Sequence, residues 1–302
     1  MPELPEVETV RRGLERVLPG RRITAVVAPE TEPRWLAWQA AWQAALTGRA
    51  IRAVRRRAKF LILDLDDDLA LVVHLRMTGA LTIAQTDDPP ARFHRVAVRL
   101  DNGTELRFGD MRRFGTAEVL DPAGLADRLA TLGHEPLDDA LDAAAVRTAL
   151  GSSPRLATKA ALLDQTRIAG LGNIYADESL HLAGIHPQTP VGTLTDAEII
   201  RLTAAIKEVI ASGVAHSGTT FDAEGFRDAF GNPGGNLAHL RVYHRHGELC
   251  LTCGTDTIVQ MRLAGRSTHW CPTCQPERVT SSEKGQNPSL LATRYSLLVT
   301  LA

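Results

Sequence analysis

The sequence predicts an α+β protein: an antiparallel β-sheet half with flanking helices, then a helical half that ends in a four-cysteine module. Three observations predict it. Residues 51–119 form short apolar or alternating runs broken by turn signals. From residue 155 on, the apolar positions fall at helical spacing. All four cysteines of the 302-residue chain lie within 25 residues near its end.

In chain order, residues 5–19 read as a helix. Val7, Val10, Leu14, Val17 and Leu18 fall close to one face, and Gly20 is placed to end it. Trp38, Trp42 and Leu46 step by four and read as the core face of a second helix. The runs FLILDLD, LALVVHL, RVAVRL and TELRF then predict strands, with Asn102-Gly103 as a hairpin turn. Their sheet closes as a sandwich or a barrel. Sheet-like alternation stops near 121–154, which places a domain boundary around 133–152. Thr195-Asp196-Ala197-Glu198 is a capping box, with Leu194 and Ile199 as its hydrophobic staple, and starts a helix that runs to about Ser212. The glycine-rich stretch 213–237 reads as a long, mobile loop.

Composition excludes several classes. Hydrophobic residues are 44% and charged residues 23%, an ordinary globular balance. No apolar run is long enough to span a bilayer, and MPELPEVETV lacks the basic start of a secretory signal. A cytoplasmic monomer with no membrane partner is expected. Lys plus Arg, 34, nearly cancels Asp plus Glu, 35, so net charge does not point to nucleic acid. Local charge does. Arg49, Arg52, Arg55, Arg56, Arg57 and Lys59 lie in eleven residues with no acid among them, and Arg241, Arg245, Arg262 and Arg266 surround the cysteines. For the first cluster a basic strand edge kept against aggregation is the competing reading.

Cys250-x2-Cys253 and Cys271-x2-Cys274 have the spacing of a four-thiolate zinc site. Two disulfides are the alternative, disfavoured in a cytoplasmic chain. One zinc ion held by four thiolates has no open position, so it would be structural and catalysis would lie elsewhere. The N-terminus offers a candidate. Removal of Met1 would expose the secondary amine of Pro2, a nucleophile able to form an iminium, beside the carboxylates of Glu3 and Glu6. The bland alternative is helix capping: proline and acids are favoured in a first turn for dipole reasons alone.

Taken together, PELPEVETVRRGLE at the N-terminus, RRAKFLILDL at 56–65, HLRMTGAL at 74–81, MRRFG at 111–115, DQTRIAGLGNIYADESLHLAGIHP at 164–187 and GRSTHWCPTCQ at 265–275 resemble the formamidopyrimidine-DNA glycosylase family. The resemblance covers roughly residues 1–275. It implies an N-terminal catalytic β-sandwich domain over 1–135 and a linker over 136–152. A helix–two-turn–helix DNA-binding domain with a lesion loop would follow over 153–236, then a zinc finger over 237–275. Residues 276–302 are left as a tail, expected to be disordered. The implied activity is excision of oxidised purines, 8-oxoguanine and formamidopyrimidines, from damaged double-stranded DNA, with β,δ-elimination at the abasic site. Pro2 would be the nucleophile, Glu3 the proton donor, Lys59 and Arg266 the residues of strand cleavage, and Glu6 a support. Met77, Arg112 and Phe114 would fill the gap left by the flipped nucleotide. Asn173 would contact phosphate from the Gly-Leu-Gly-Asn turn, and Thr219 and Thr220 the flipped base. His94 and Arg155 would replace DNA contacts that this chain lacks in register, and Asp110-Met111 departs from the family's Asp-Pro. Two rival readings stand: an endonuclease VIII-like glycosylase of oxidised pyrimidines, and a non-catalytic zinc-ribbon DNA-binding protein.

Overall fold

The structure, a computed structural model, describes residues 2–28 and 33–278. The first helix, α1 (Leu4–Glu15), turns its apolar stripe inward: Val7, Val10 and Leu14 are buried, with Leu18 just beyond its end. The second, α2 (Pro33–Leu46), buries Trp42 and Leu46, and Trp38 stacks on Trp42 with ring centroids 5.1 Å apart.

Eight strands form two antiparallel sheets that face each other as a sandwich. They are β1 (Ile23–Val27), β2 (Ile51–Arg57), β3 (Phe60–Leu65), β4 (Ala70–His74), β5 (Gly79–Gln85), β6 (His94–Leu100), β7 (Thr104–Asp110) and β8 (Thr116–Leu120). One sheet has the order β1-β6-β7-β5 and the other β2-β3-β4-β8. Their inner faces and α1 share one core, in which Leu61, Leu63, Leu71, Val73, Val96, Val98, Leu106 and Phe108 are buried. The expected hairpin at Asn102-Gly103 joins β6 to β7, with Gly103 at φ 81°.

After α3 (Pro122–Leu129) comes a second core. It is built by α4 (Ala143–Leu150), α5 (Thr158–Leu163), α6 (Asn173–Ala183) and α7 (Asp196–Ala215). Two successive turns at 165–167 and 169–170 join α5 to α6, giving a helix–two-turn–helix. The Thr195 hydroxyl accepts from Glu198 N–H, and Glu198 accepts from Thr195 N–H, which is the expected capping box. The expected linker 136–152 is corrected. It contains α4, whose Val146 and Leu150 are buried with Leu141 in the second core. Its alanine-rich stretch had lost the strand alternation and was too short for a clear helical period.

The hairpin β9 (Val259–Leu263) and β10 (Arg266–Trp270) lies between the two cysteine pairs, its turn made by Ala264 and Gly265 at positive φ. Of the expected tail, residues from 279 on lie outside the described residues. Arg278 is described, and it binds Thr193 O at 2.5 Å and pairs with Glu198.

Two features join the domains. Leu4 belongs to the second core while Val7, Val10 and Leu14 of the same helix belong to the first. In return the glycine-rich segment reaches the first core. Ala229 is fully buried there, its carbonyl accepts from Ile83 N–H at 2.8 Å, and Gly13 of α1 leaves no room for a side chain against it. The segment expected to be a mobile loop is therefore a strap fastened at its far end. Its signal was missed because only Ala229 and the partly buried Phe226 carry the anchor.

Candidate active site and nucleic-acid interface

The N-terminus of α6 organises the site. Helix N-termini leave backbone N–H groups without intrahelical partners. Here the buried Glu3 carboxylate takes three of them: Gly172 N at 2.8 Å, Ile174 N at 3.0 Å and Tyr175 N at 3.4 Å. Gly172 is required, since a Cβ would sit 2.3 Å from the Glu3 carboxyl carbon. Gly170, at φ 102°, packs on Leu4, whose N–H donates to its carbonyl at 3.1 Å. The Gly-Leu-Gly-Asn turn was expected to offer its N–H groups to phosphate. In this structure the Gly172 N–H goes to Glu3 and the Gly170 N–H to Gln165 Oε1.

Lys59 meets the same turn from the other side. It stands at the β2–β3 hairpin tip beside Ala58, which has φ 51°, and its Nζ donates to Leu171 O at 2.7 Å. That carbonyl and the Gly172 N–H belong to one peptide unit, so Lys59 and Glu3 grip its two ends. Burial pushes the Glu3 carboxyl up, with the Lys59 charge opposing and the Glu6 charge assisting. Burial pushes the Lys59 ammonium down against the pull of Glu3 and Glu6.

Glu6, also buried, ties three elements. Its Oε2 accepts from Glu3 N–H at 2.8 Å, and its Oε1 accepts from Tyr175 Oη–H at 2.7 Å and Thr219 N–H at 2.8 Å. Pro2 adjoins this cluster and is buried. Met1 lies outside the described residues.

Thr219 and Thr220 both hold the strap in this structure. The Thr219 hydroxyl is buried between Asn236 Nδ2 at 3.0 Å and Tyr175 Oη at 3.3 Å. The Thr220 hydroxyl donates to Phe226 O and accepts from Gly234 N–H, closing the strap on itself.

Asn173 reaches the zinc hairpin. Its Nδ2 donates to Ser267 O at 2.9 Å and lies 3.4 Å from Tyr243 Oη. The neighbouring Arg266 is exposed and makes no ion pair among the described residues. Below it a buried network fixes the hairpin. Lys159 Nζ pairs with Asp177 at 2.6 Å and donates to Ser267 O and Thr268 Oγ1, while Asp177 accepts from His269 N–H at 2.9 Å. Glu178 accepts three backbone N–H groups, from Arg241, Val242 and Tyr243.

The cysteines are free thiols, which removes the disulfide alternative. Their sulfurs all lie within 4.8 Å of one another, with Cys250–Cys274 at 3.8 Å and Cys253–Cys271 at 3.6 Å. A tetrahedral zinc at about 2.3 Å from each sulfur needs separations of about 3.8 Å, so the cradle fits one structural zinc ion.

Met77, Arg112 and Phe114 stand on two adjacent exposed turns. Met77 is 37% and Phe114 52% exposed, and the Arg112 guanidinium lies over the Phe114 ring at 4.9 Å. The buried Asp110, quoted in the sequence only as a departure point, holds these turns. It accepts from Thr78 Oγ1–H at 2.5 Å, Arg112 N–H at 3.2 Å and Gly115 N–H at 2.7 Å. Met111 after it is 42% exposed and enlarges the apolar patch.

His94 is corrected. Its Nε2 is buried without a partner, and burial beside Arg107 holds the ring below the usual imidazole range. Arg155 is exposed and makes no ion pair among the described residues. The 49–57 arginines are all paired with acids in this structure. Arg49, Arg52 and Arg55 pair with Asp67, Asp66 and Asp64, while Arg56 and Arg57 pair with Glu135 at 2.8 Å. Only Lys59 of that cluster enters the site. Sequence reasoning missed Tyr175, Tyr243, Lys159 and His74. The last is cross-strand from Phe60 beside Lys59, with its Nδ1 accepting from Arg76 N–H at 3.0 Å.

Comparison with known proteins agrees with this architecture along most of the chain. Three family models match: the formamidopyrimidine-DNA glycosylase N-terminal domain over residues 1–117, that family's H2TH domain over 132–224, and a zinc finger found in FPG and IleRS over 247–276. A formamidopyrimidine-DNA glycosylase of Herpetosiphon aurantiacus is 46% identical over 285 residues, covering 91% of this chain and 100% of that relative. A point mutant of the Lactococcus lactis FPG, solved with Fapy-dG containing DNA, superposes with a TM-score of 0.84 at 36% identity, covering 91% of this chain and 100% of that one. The Lactococcus lactis Fpg solved with DNA containing an abasic site gives a TM-score of 0.83 at 36% identity with the same coverage. With its three domain types matched in order and its relatives spanned end to end, the chain belongs to the formamidopyrimidine-DNA glycosylase family.

Proposed function

We propose that this DNA repair glycosylase removes oxidised purines, 8-oxoguanine and formamidopyrimidines, from damaged double-stranded DNA and then cuts the strand at the abasic site. It acts as a cytoplasmic monomer. The observation that carries the proposal is the grip of Glu3 and Lys59 on one peptide unit beside Pro2, since two groups with opposed pKa displacements flank one candidate nucleophile.

In the encoded chain the Pro2 nitrogen is an amide, so the reaction requires removal of Met1. The freed secondary amine, with an ordinary pKa of about 7.7–8.0, is substantially neutral at pH 7. It attacks C1′ of the extruded nucleotide. The bond from C1′ to the base breaks, and the base leaves with the electron pair and takes up the proton that the Pro2 nitrogen sheds. The C1′–O4′ pair then moves to O4′, which receives the Glu3 proton, and an iminium remains between Pro2 and C1′. Lys59 in its neutral form takes a C2′ proton. Those electrons pass through the iminium and expel the 3′-phosphate. Loss of a C4′ proton expels the 5′-phosphate, and water hydrolyses the last iminium, freeing the Pro2 amine. Arg266 neutralises a departing phosphate from the hairpin. Glu6 positions the Glu3 backbone, and Met77, Arg112 and Phe114 occupy the vacated stack. A bound zinc supplies hairpin geometry only, since four thiolates fill its coordination sphere.

Borohydride reduction on abasic DNA tests this. The mature chain should become covalently trapped, and a chain with an N-terminal extension blocking Pro2 should not. Trapping of the blocked chain at the mature rate would remove Pro2 from the mechanism.

A further inference from the structure

The carbonyl that holds Lys59 has a second partner. Gln165 Nε2 donates to Leu171 O at 2.9 Å, alongside the 2.7 Å bond from Lys59 Nζ. The same side chain accepts Gly170 N–H at 3.0 Å on Oε1 and donates to Leu163 O at 2.9 Å. Gln165 thus spans the Gly170–Leu171 step, and Leu171 is fully buried. A carbonyl oxygen has two lone pairs, and both are used here.

We propose that Gln165 is a positioning residue for Lys59: it shares the Leu171 carbonyl with the lysine and keeps that carbonyl satisfied when the ammonium leaves it. The inference rests on Lys59 acting in strand cleavage, as proposed above. To take a sugar proton, Lys59 must release Leu171 O. Without Gln165 the release would strand a buried acceptor, which is costly. With Gln165 in place, one hydrogen bond stays and the turn does not move. Gln165 also competes for the carbonyl, which weakens its hold on the charged form of Lys59. Removing the competitor should therefore favour the ammonium, and neutral Lys59 should appear only at higher pH.

The experiment is a double-mutant cycle on single-turnover cleavage of duplexes carrying a preformed abasic site. The chain carries wild-type or Gln165→Leu, each with Lys59 or Lys59→Met. Gln165→Leu should slow cleavage about tenfold, one hydrogen bond's worth at about 1.4 kcal/mol per decade. The acid limb of its pH profile should move to higher pH, and DNA affinity should be unchanged. In the Lys59→Met background the same substitution should cost less than about twofold. Gln165→Asn, which keeps an amide donor, should recover most of the rate. An equal loss in both Lys59 backgrounds would make Gln165 a fold residue and overturn the proposal. So would an unmoved acid limb, or equal losses for Gln165→Leu and Gln165→Asn. Borohydride trapping of the wild type separates the two levels. If it fails, the nucleophile assignment falls. If it succeeds and Gln165→Leu cleaves normally, only the Gln165 role falls.

Discussion

Gly172→Ala isolates the placement of Glu3 from its chemistry. The backbone at Gly172 has φ −132°, which any residue adopts, so the variant carries no intrinsic strain. The added methyl would lie 2.3 Å from the Glu3 carboxyl carbon and 2.4 Å from Oε1. Non-bonded carbons sit at about 3.5 Å or more, so the carboxylate must retreat by about 1 Å. It then loses at least one bond to a backbone N–H at the α6 terminus, worth about 1.5–3 kcal/mol for a charged acceptor. A melting temperature lower by several degrees should follow. Excision should fall further. A misplacement of about 1 Å costs a catalytic group about a hundredfold, or about 2.7 kcal/mol in the barrier. The assay is single-turnover release of 8-oxoguanine from a duplex, with calorimetry and circular dichroism on the same protein. A folded Gly172→Ala chain that excises within about twofold of the wild type would show that the α6 cradle does not place Glu3 for catalysis.

Four further outcomes are expected. The two chemical steps should have opposite pH limbs: Glu3, raised by burial, donates its proton only below its pKa, so excision falls as pH rises through it, while cleavage of preformed abasic DNA rises as Lys59, lowered by burial, becomes neutral; parallel profiles for both substrates would contradict the assignment. Met77→Ala should impair excision from duplex DNA much more than cleavage at a preformed abasic site, because a stacked base costs more to extrude than a bare sugar; equal losses would point to packing. Arg266→Ala should retain one zinc per chain and weaken DNA binding with a salt slope shallower by about one, the loss of one phosphate contact, and an unchanged slope would take Arg266 off the DNA. Arg278 and the Thr195 cap hold Glu198 at about 2 against an ordinary 4.5; a depressed carboxylate stabilises above the higher value and loses that stabilisation as pH falls toward the lower, so Arg278→Ala should lower the melting temperature at neutral pH and flatten its acid decline.

The elements were legible because each is local. The stripe Val7, Val10, Leu14 and the step Trp38, Trp42, Leu46 name buried faces directly, and CxxC spacing names a metal cradle. What failed is long-range. Nothing near Thr219 announces that Glu6, 213 residues earlier, takes its N–H, nor does the 49–57 arginine run reveal Asp64, Asp66, Asp67 and Glu135 as partners. One compositional signal was readable and unused. Only four of the 34 basic residues are lysine, and two of these are buried, Lys59 on the Leu171 carbonyl and Lys159 under the hairpin. Arginine cannot be deprotonated in a protein and needs room for a planar fork. An arginine-rich chain therefore uses lysine where a compact or titratable cation is required.

The capping and catalytic readings of Glu3 and Glu6 turn out to describe one arrangement. Glu6 does accept the Glu3 N–H, as a helix first turn favours, and the Glu3 carboxylate caps α6 of the other domain. Glu3 and Lys59 come from the N-terminal domain, and the peptide unit they grip comes from the helical one. Chemistry and domain alignment then share the same hydrogen bonds. The strap adds a second tie at Ala229, far along the chain from the first. A substitution there, such as Ala229→Asp, touches no reacting group. It follows that a change loosening the domain junction should lower activity well before it unfolds either core, because each core closes on its own apolar faces while the site closes only across the junction.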